Sequence, residues 1–101
     1  MAAEALAPDA VRDRLRDLPG WSLTDGGITR TYKLTSHFAA TAMVVHIAQL
    51  QEELGHHSQL TLGYNTVSLT VNTHDAGGAV TGKDIELARR VEATAAGHAA
   101  E

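Results

Sequence analysis

The period of the apolar residues changes along the chain, and each change predicts an element. Pro8 suits the first position of a helix, where its missing N–H is no loss; Val11, Leu15 and Leu18 follow at helical spacing until Pro19-Gly20 stops the run. Residues 21–23 and 28–34 then flank Thr24-Asp25-Gly26-Gly27, whose glycines accept the positive φ of a tight hairpin. Ile28, Tyr32 and Leu34 share one face of the second strand while Thr29, Thr31 and Lys33 point away, and Arg30 is a charged residue on the apolar face.

Thr35 or Ser36 can cap a long helix that runs to about Leu54, with Gly55 as its left-handed terminator. At about 100° per residue, Phe38, Ala42 and Val45 fall on one side of this helix, and Met43, Ile47, Leu50 and Leu54 lie more than a quarter-turn away. A helix covering one sheet needs a single apolar stripe. The surplus predicts a second partner, another helix or a second subunit, and favours a homo-oligomer, dimer or tetramer.

Leu60, Leu62 and Tyr64 alternate with Thr61 and Gly63; Asn65-Thr66 turns the chain, and Val67, Leu69 and Val71 alternate with Ser68, Thr70 and Asn72. This predicts a second hairpin with an apolar and a polar face, His74 continuing the polar row if the strand extends that far. After the loop at 75–79, Ile85, Ala88, Val91 and Ala95 recur at helical spacing behind Thr81-Gly82-Lys83-Asp84. The expected fold is α+β in two layers: an antiparallel sheet of about four strands with three helices packed on one face. Residues 8–96 make the single domain, with residues 1–7 disordered and 97–101 frayed.

Composition narrows the chemistry. At 101 residues and 44% hydrophobic content, one core is expected. Eight Lys and Arg against twelve Asp and Glu give a formal charge of −4 with no basic patch, which argues against direct nucleic-acid binding. The absence of cysteine removes disulfides, thiolate nucleophiles and Cys-ligated zinc. Glu4 and Pro8 do not fit a secretory signal, and no stretch offers the roughly 18–20 apolar residues of a membrane span, so a soluble cytoplasmic protein with no membrane partner is expected.

Three of the six histidines stand out. His56-His57 falls where the long helix meets the second hairpin, and His74 falls at the far end of that hairpin. An antiparallel return brings those two places together, so three imidazoles can line one cleft. Imidazole gives and takes protons near neutral pH, which points to acid–base chemistry; the plain alternative is a set of surface or loop histidines. A three-histidine zinc site is a third option, disfavoured because adjacent side chains diverge. His46 lies among apolar positions and is expected to pack against a partner. Gly77-Gly78 fits a φ-positive loop or a close backbone approach to a ligand. Asp84 stands three residues after Thr81, the spacing of a capping box. No phosphate loop, HExxH, nucleophile elbow or dinucleotide fingerprint is present.

Glu52, His56-His57-Ser58, Tyr64, His74 and Asp84, at these intervals, resemble the signature of the pterin-4a-carbinolamine dehydratases. The similarity extends to Gly20-Trp21, Phe38-Ala39, Thr73-His74 and the last helix, spanning about residues 9 to 96. It implies a hydro-lyase that dehydrates 4a-hydroxytetrahydropterin to quinonoid dihydropterin in tetrahydrobiopterin recycling, serving aromatic amino acid hydroxylases, with no cofactor and no metal. By the same resemblance His56, His57 and His74 are catalytic, His57 and His74 moving protons and His56 positioning the pterin or sharing that work. Glu52, Thr73, Asp75 and Asp84 are implied in substrate binding, Glu52 being one turn from His56 and placed to orient it. Ser58 departs from the usual proline, Gly55 from the Asp or Asn of some relatives, and Leu60 from an aromatic. The rival expectation is a non-catalytic binding module on the same fold, of the dimerisation-cofactor or assembly-factor type.

Overall fold

The computed structural model describes residues 3–101. Pro8 opens α1 (Pro8–Leu15), which buries Val11 and Leu15 and ends before Leu18, itself buried in the following turn. A hairpin joins β1 (Ser22–Thr24) to β2 (Gly27–Lys33), with Gly27 at φ 129. A Cβ there would stand 2.1 Å from the Val71 carbonyl oxygen, so glycine is required for the close approach of the strand that carries Val71. Ser36 caps α2 (His37–Leu54) through its Oγ, which accepts the Ala39 N–H at 3.0 Å; Gly55, at φ 63, ends it.

β3 (Gln59–Leu62) and β4 (Thr66–Val71) form the second hairpin, and α3 (Gly82–Gly97) closes the domain. The strands are all antiparallel in the order β1-β2-β4-β3, so the two hairpins meet along β2 and β4, with Ile28 opposite Val71 and Tyr32 opposite Val67. Ile28, Tyr32, Val67, Leu69 and Val71 form the inner face and pack against Met43, Ile47, Ile85, Leu87, Ala88 and Val91 of the helices. The other face is polar: Thr29 bonds Thr70, and Thr31 bonds Ser68, across the strands. This is the α+β arrangement of three helices on a four-stranded antiparallel sheet.

Several local expectations change. Tyr64 lies in the turn and not in the strand; it is 79% exposed, because β3 stops at Leu62 to let Gly63 donate its N–H to Thr66. β4 ends at Val71, so His74 begins a 3-10 turn (His74–Ala76) instead of extending the strand. Arg30 remains on the apolar face by lying over the Tyr32 ring, 4.2 Å from its centroid, with its guanidinium donating to the carbonyls of Thr31 and Glu101. His46 is exposed on α2, and its Nδ1 lies 3.0 Å from His98 Nε2. Phe38 and Val45 are 82% and 66% exposed, so the surplus apolar side of α2 has no cover among the described residues.

Of the residues before α1, 1 and 2 lie outside the described residues, and Leu6 donates its N–H to Val80 at 2.8 Å. At the other end, the Glu101 N–H reaches the Lys33 carbonyl at 2.9 Å. Among the described residues no helix is long and apolar enough to cross a membrane.

Candidate functional site

The site is assembled where helix ends meet the second hairpin. Gly55 turns the chain off α2, and the His56 N–H closes back onto the Gln51 carbonyl at 3.1 Å, fixing the exit direction. Gln59 then pairs with Thr70, which sets residues 56–58 beside residues 72–74, the segment that follows the returning strand. Thr73 pairs with Ala79, and Gly77 and Gly78 at positive φ turn the intervening loop. A cavity of about 270 Å³ opens between these segments. Its walls carry His56, His57 and His74, together with Thr73, Asp75, Asn72, Gly55 and Lys83. Among the described residues no three His, Asp or Glu side chains are grouped to hold a metal ion.

The three imidazoles are held differently. His56 is nearly buried, and its Nε2 donates to Asp84 Oδ1 at 2.5 Å. Asp84 is completely buried, and its other oxygen accepts the Thr81 N–H at 2.8 Å and the Thr73 hydroxyl at 2.9 Å. Because Thr73 spends its proton on Asp84, its oxygen accepts from the Thr81 hydroxyl at 2.7 Å, and Thr81 in turn accepts the Lys83 N–H. Asp84 therefore both caps α3 with Thr81 and fixes the ring of His56, leaving His56 Nδ1 as the ring nitrogen not tied to the protein by Asp84.

His57 is 59% exposed, and its Nε2 lies 3.5 Å from Glu52 Oε2. The expected Glu52–His56 contact is thus replaced: the helix end presents Glu52 to the second histidine, and Asp84 orients the first. His74 is exposed at the start of the 3-10 turn, beside Asp75, which is also exposed. Of the seven residues singled out from sequence, His56, His57, Thr73, His74 and Asp75 line the cavity, whereas Asp84 stands behind His56 and Glu52 lies outside the lining.

Lys83, Asn72 and Gly55 complete the walls and were not among those seven. Asn72 had a readable signal, its place in the polar row of β4. Gln51 was also missed: it is a 5% exposed amide on the face of α2 that buries Met43 and Ile47, and a polar residue in an apolar row is the signal that marks it.

The described geometry has clear relatives. Residues 4–94 match the family model described as Pterin 4 alpha carbinolamine dehydratase. A protein of Streptomyces coelicolor that carries pterin-4-alpha-carbinolamine dehydratase as a provisional name is 69% identical over 100 residues, 99% of each chain. A provisionally named relative from Roseiflexus castenholzii is 43% identical over 89 residues, covering 87% of this chain and 95% of its own. Among solved structures, a transcriptional coactivator/pterin dehydratase from Brucella melitensis superposes with a TM-score of 0.84 at 34% identity, over 91% of this chain and 99% of that one. A pterin dehydratase-like RuBisCO assembly factor of the alpha-carboxysome shares the fold, with a TM-score of 0.63 at 24% identity, over 75% and 89% of the two chains. With a family model matching nearly its whole length and a cavity edged by the paired and the third histidine, the chain belongs to the pterin-4a-carbinolamine dehydratase family.

Proposed function

We propose that the chain dehydrates 4a-hydroxytetrahydropterin to quinonoid dihydropterin, the step that returns the pterin after an aromatic amino acid hydroxylase has used it. The observation that carries this reading is the convergence of His56, His57 and His74 on one cavity, with His56 locked by a buried carboxylate. In the reaction the C4a–O bond breaks, an imidazolium supplies the proton with which hydroxide leaves as water, and a neutral imidazole takes the N5 proton as the C4a=N5 bond forms. His57 and His74, both exposed to the cavity, fit these two transfers. His56, its Nε2 occupied by Asp84, presents Nδ1 as a fixed acceptor that orients the ring system. Each transfer contributes on the order of 10²–10⁴-fold.

Thr73 and Asp75 supply polar wall contacts; Glu52 acts on the pterin side through His57, and Asp84 through His56. The exposed Phe38 and Val45 favour a homo-oligomer, and they are also what a non-catalytic binding module on this fold would use. Stopped-flow decay of the carbinolamine separates the two readings. The protein accelerates the decay if it is a dehydratase, and His74→Ala lowers the catalysed rate at least tenfold with an unchanged circular dichroism spectrum. No acceleration by the wild-type protein rejects catalysis, and an unaltered His74→Ala rate rejects the assignment of His74.

A further inference from the structure

We propose that Gln51 is a positioning residue for His57, acting through the backbone on both sides of it; the catalytic part of this rests on the dehydratase reading above. The Gln51 carbonyl accepts the His56 N–H at 3.1 Å. Its side-chain oxygen accepts the Ser58 N–H at 3.0 Å and also the Ser58 hydroxyl. A backbone N–H can only donate, so the amide atom facing Ser58 is the oxygen. One residue therefore holds the Gly55–His56 peptide, one step upstream, and the His57–Ser58 peptide that immediately follows His57.

His57 needs such a grip more than its neighbour does. The His56 ring is anchored by Asp84, whereas the His57 ring is 59% exposed and its partner Glu52 is 79% exposed, a contact too open to water to fix a rotor. The position of the His57 nitrogen is then inherited from the backbone of residues 56–58. Displacement of a reacting group by about 1 Å costs on the order of 10²-fold in rate. Gln51 itself lies 5% exposed among apolar neighbours, where burying an amide is unfavourable unless its polar atoms are bonded. A leucine at this position would pack without any such requirement. What the amide adds is its pair of bonds to Ser58.

The test uses three variants: Gln51→Leu, Ser58→Pro and the double substitution. Gln51→Leu strands the Ser58 N–H and hydroxyl and frees the loop. Ser58→Pro removes the N–H but leaves the buried Gln51 oxygen unpaired. The double variant removes both polar partners while proline restrains φ, so the defects compensate. Expected for Gln51→Leu are a kcat about tenfold lower with KM within twofold, and amide hydrogen exchange at residues 56 and 58, the two amides bonded to Gln51, at least tenfold faster. The double variant returns kcat, and exchange at His56, to within about threefold of wild type; proline leaves no amide proton at 58 to read.

Additive losses in the double variant overturn the proposal, as does Gln51→Leu with unchanged exchange and kcat. A merely structural role would lower the denaturation midpoint and leave kcat of the folded protein intact, which also overturns it. If the wild-type protein shows no dehydratase activity, the dehydratase reading fails by itself, and the exchange rates still decide whether Gln51 holds the backbone around His57.

Discussion

Asp84→Asn isolates the bond on which the orientation of His56 depends. The carboxylate accepts three hydrogen bonds, from His56 Nε2, the Thr73 hydroxyl and the Thr81 N–H, and it is completely buried. An asparagine has one acceptor oxygen and one donor nitrogen. Its oxygen is claimed by the Thr81 N–H, which can only donate, with the Thr73 hydroxyl donating to the same atom, and its NH₂ then faces His56 Nε2 donor to donor. The conflict is relieved if the imidazole moves its proton to Nδ1, which turns its free nitrogen from an acceptor into a donor. Exchanging one charge-assisted bond for a neutral one costs about 1–2 kcal/mol, whereas Asp84→Ala strands all three donors and costs about 3–5 kcal/mol. Out of a total stability of about 5–15 kcal/mol, the second loss threatens folding and the first does not. Urea denaturation measures both. Long-range ¹H–¹⁵N NMR of His56 reads the tautomer, expected to be Nε2–H in wild type and Nδ1–H in Asp84→Asn, with a dehydration rate at least tenfold lower. An Asp84→Asn protein with the wild-type tautomer and rate would show that Asp84 does not set the ring.

Three further outcomes follow from the fold. Gly27→Ala, at φ 129 and against the Val71 carbonyl, is expected to cost about 2–3 kcal/mol in denaturant unfolding, while Gly26→Ala, whose Cβ makes ordinary contacts with Thr70 Cγ2 at 3.7 Å and Thr24 Oγ1 at 3.9 Å, stays within about 0.5 kcal/mol; equal effects would contradict the described hairpin geometry. Burial, with the Glu92 carboxylate bonded to its hydroxyl, holds the Tyr32 phenol well above its ordinary 10.0. The native state thus keeps a proton that the unfolded chain loses above pH 10, and this group's stabilisation, full below pH 10, declines by about 1.4 kcal/mol per pH unit above it; Tyr32→Phe should remove that slope in alkaline urea titrations. Glutamates at Phe38 and Val45 together are expected to convert an oligomer to monomers in sedimentation velocity, and a wild-type protein that is monomeric at every concentration would exclude α2 as a self-association face.

What could be read before folding was whatever rests on neighbours in sequence. Ser36 and Gly55 bound α2, and the Thr81–Asp84 box opens α3, because caps are made within a few residues. Both hairpins were visible from alternation and turn residues. The central pairing of β2 with β4 was not, since it joins residues some forty positions apart and no local spacing encodes it. Arg30 shows the same limit. Its place on an apolar face becomes intelligible only when Tyr32 lies beneath the guanidinium and Gly20, lacking a Cβ that would stand 2.4 Å from Arg30 Nε, leaves it room. Within the site, the convergence of His56, His57 and His74 followed from antiparallel geometry. Which carboxylate holds which imidazole depends on α3 packing against the end of α2, and so Glu52 and Asp84 exchanged their expected relation to His56.

The site occupies two helix ends for a physical reason. A helix leaves orphan C=O groups at its C-terminus and orphan N–H groups at its N-terminus, and both sets need partners when the end is buried. At the end of α2 the orphan Gln51 carbonyl is satisfied by the His56 N–H, so the cap that stops the helix also aims the histidine pair. At the start of α3 the Thr81 N–H is satisfied by Asp84 Oδ2, and that carboxylate has a second oxygen to spare for His56. Neither device requires a residue devoted only to the site. The consequence is coupling: substitutions at Gln51 or Asp84 should change stability and imidazole placement together. His57 and His74, which carry no part of either cap, should be replaceable by alanine with little effect on unfolding, so that loss of function at those two positions reports on chemistry alone.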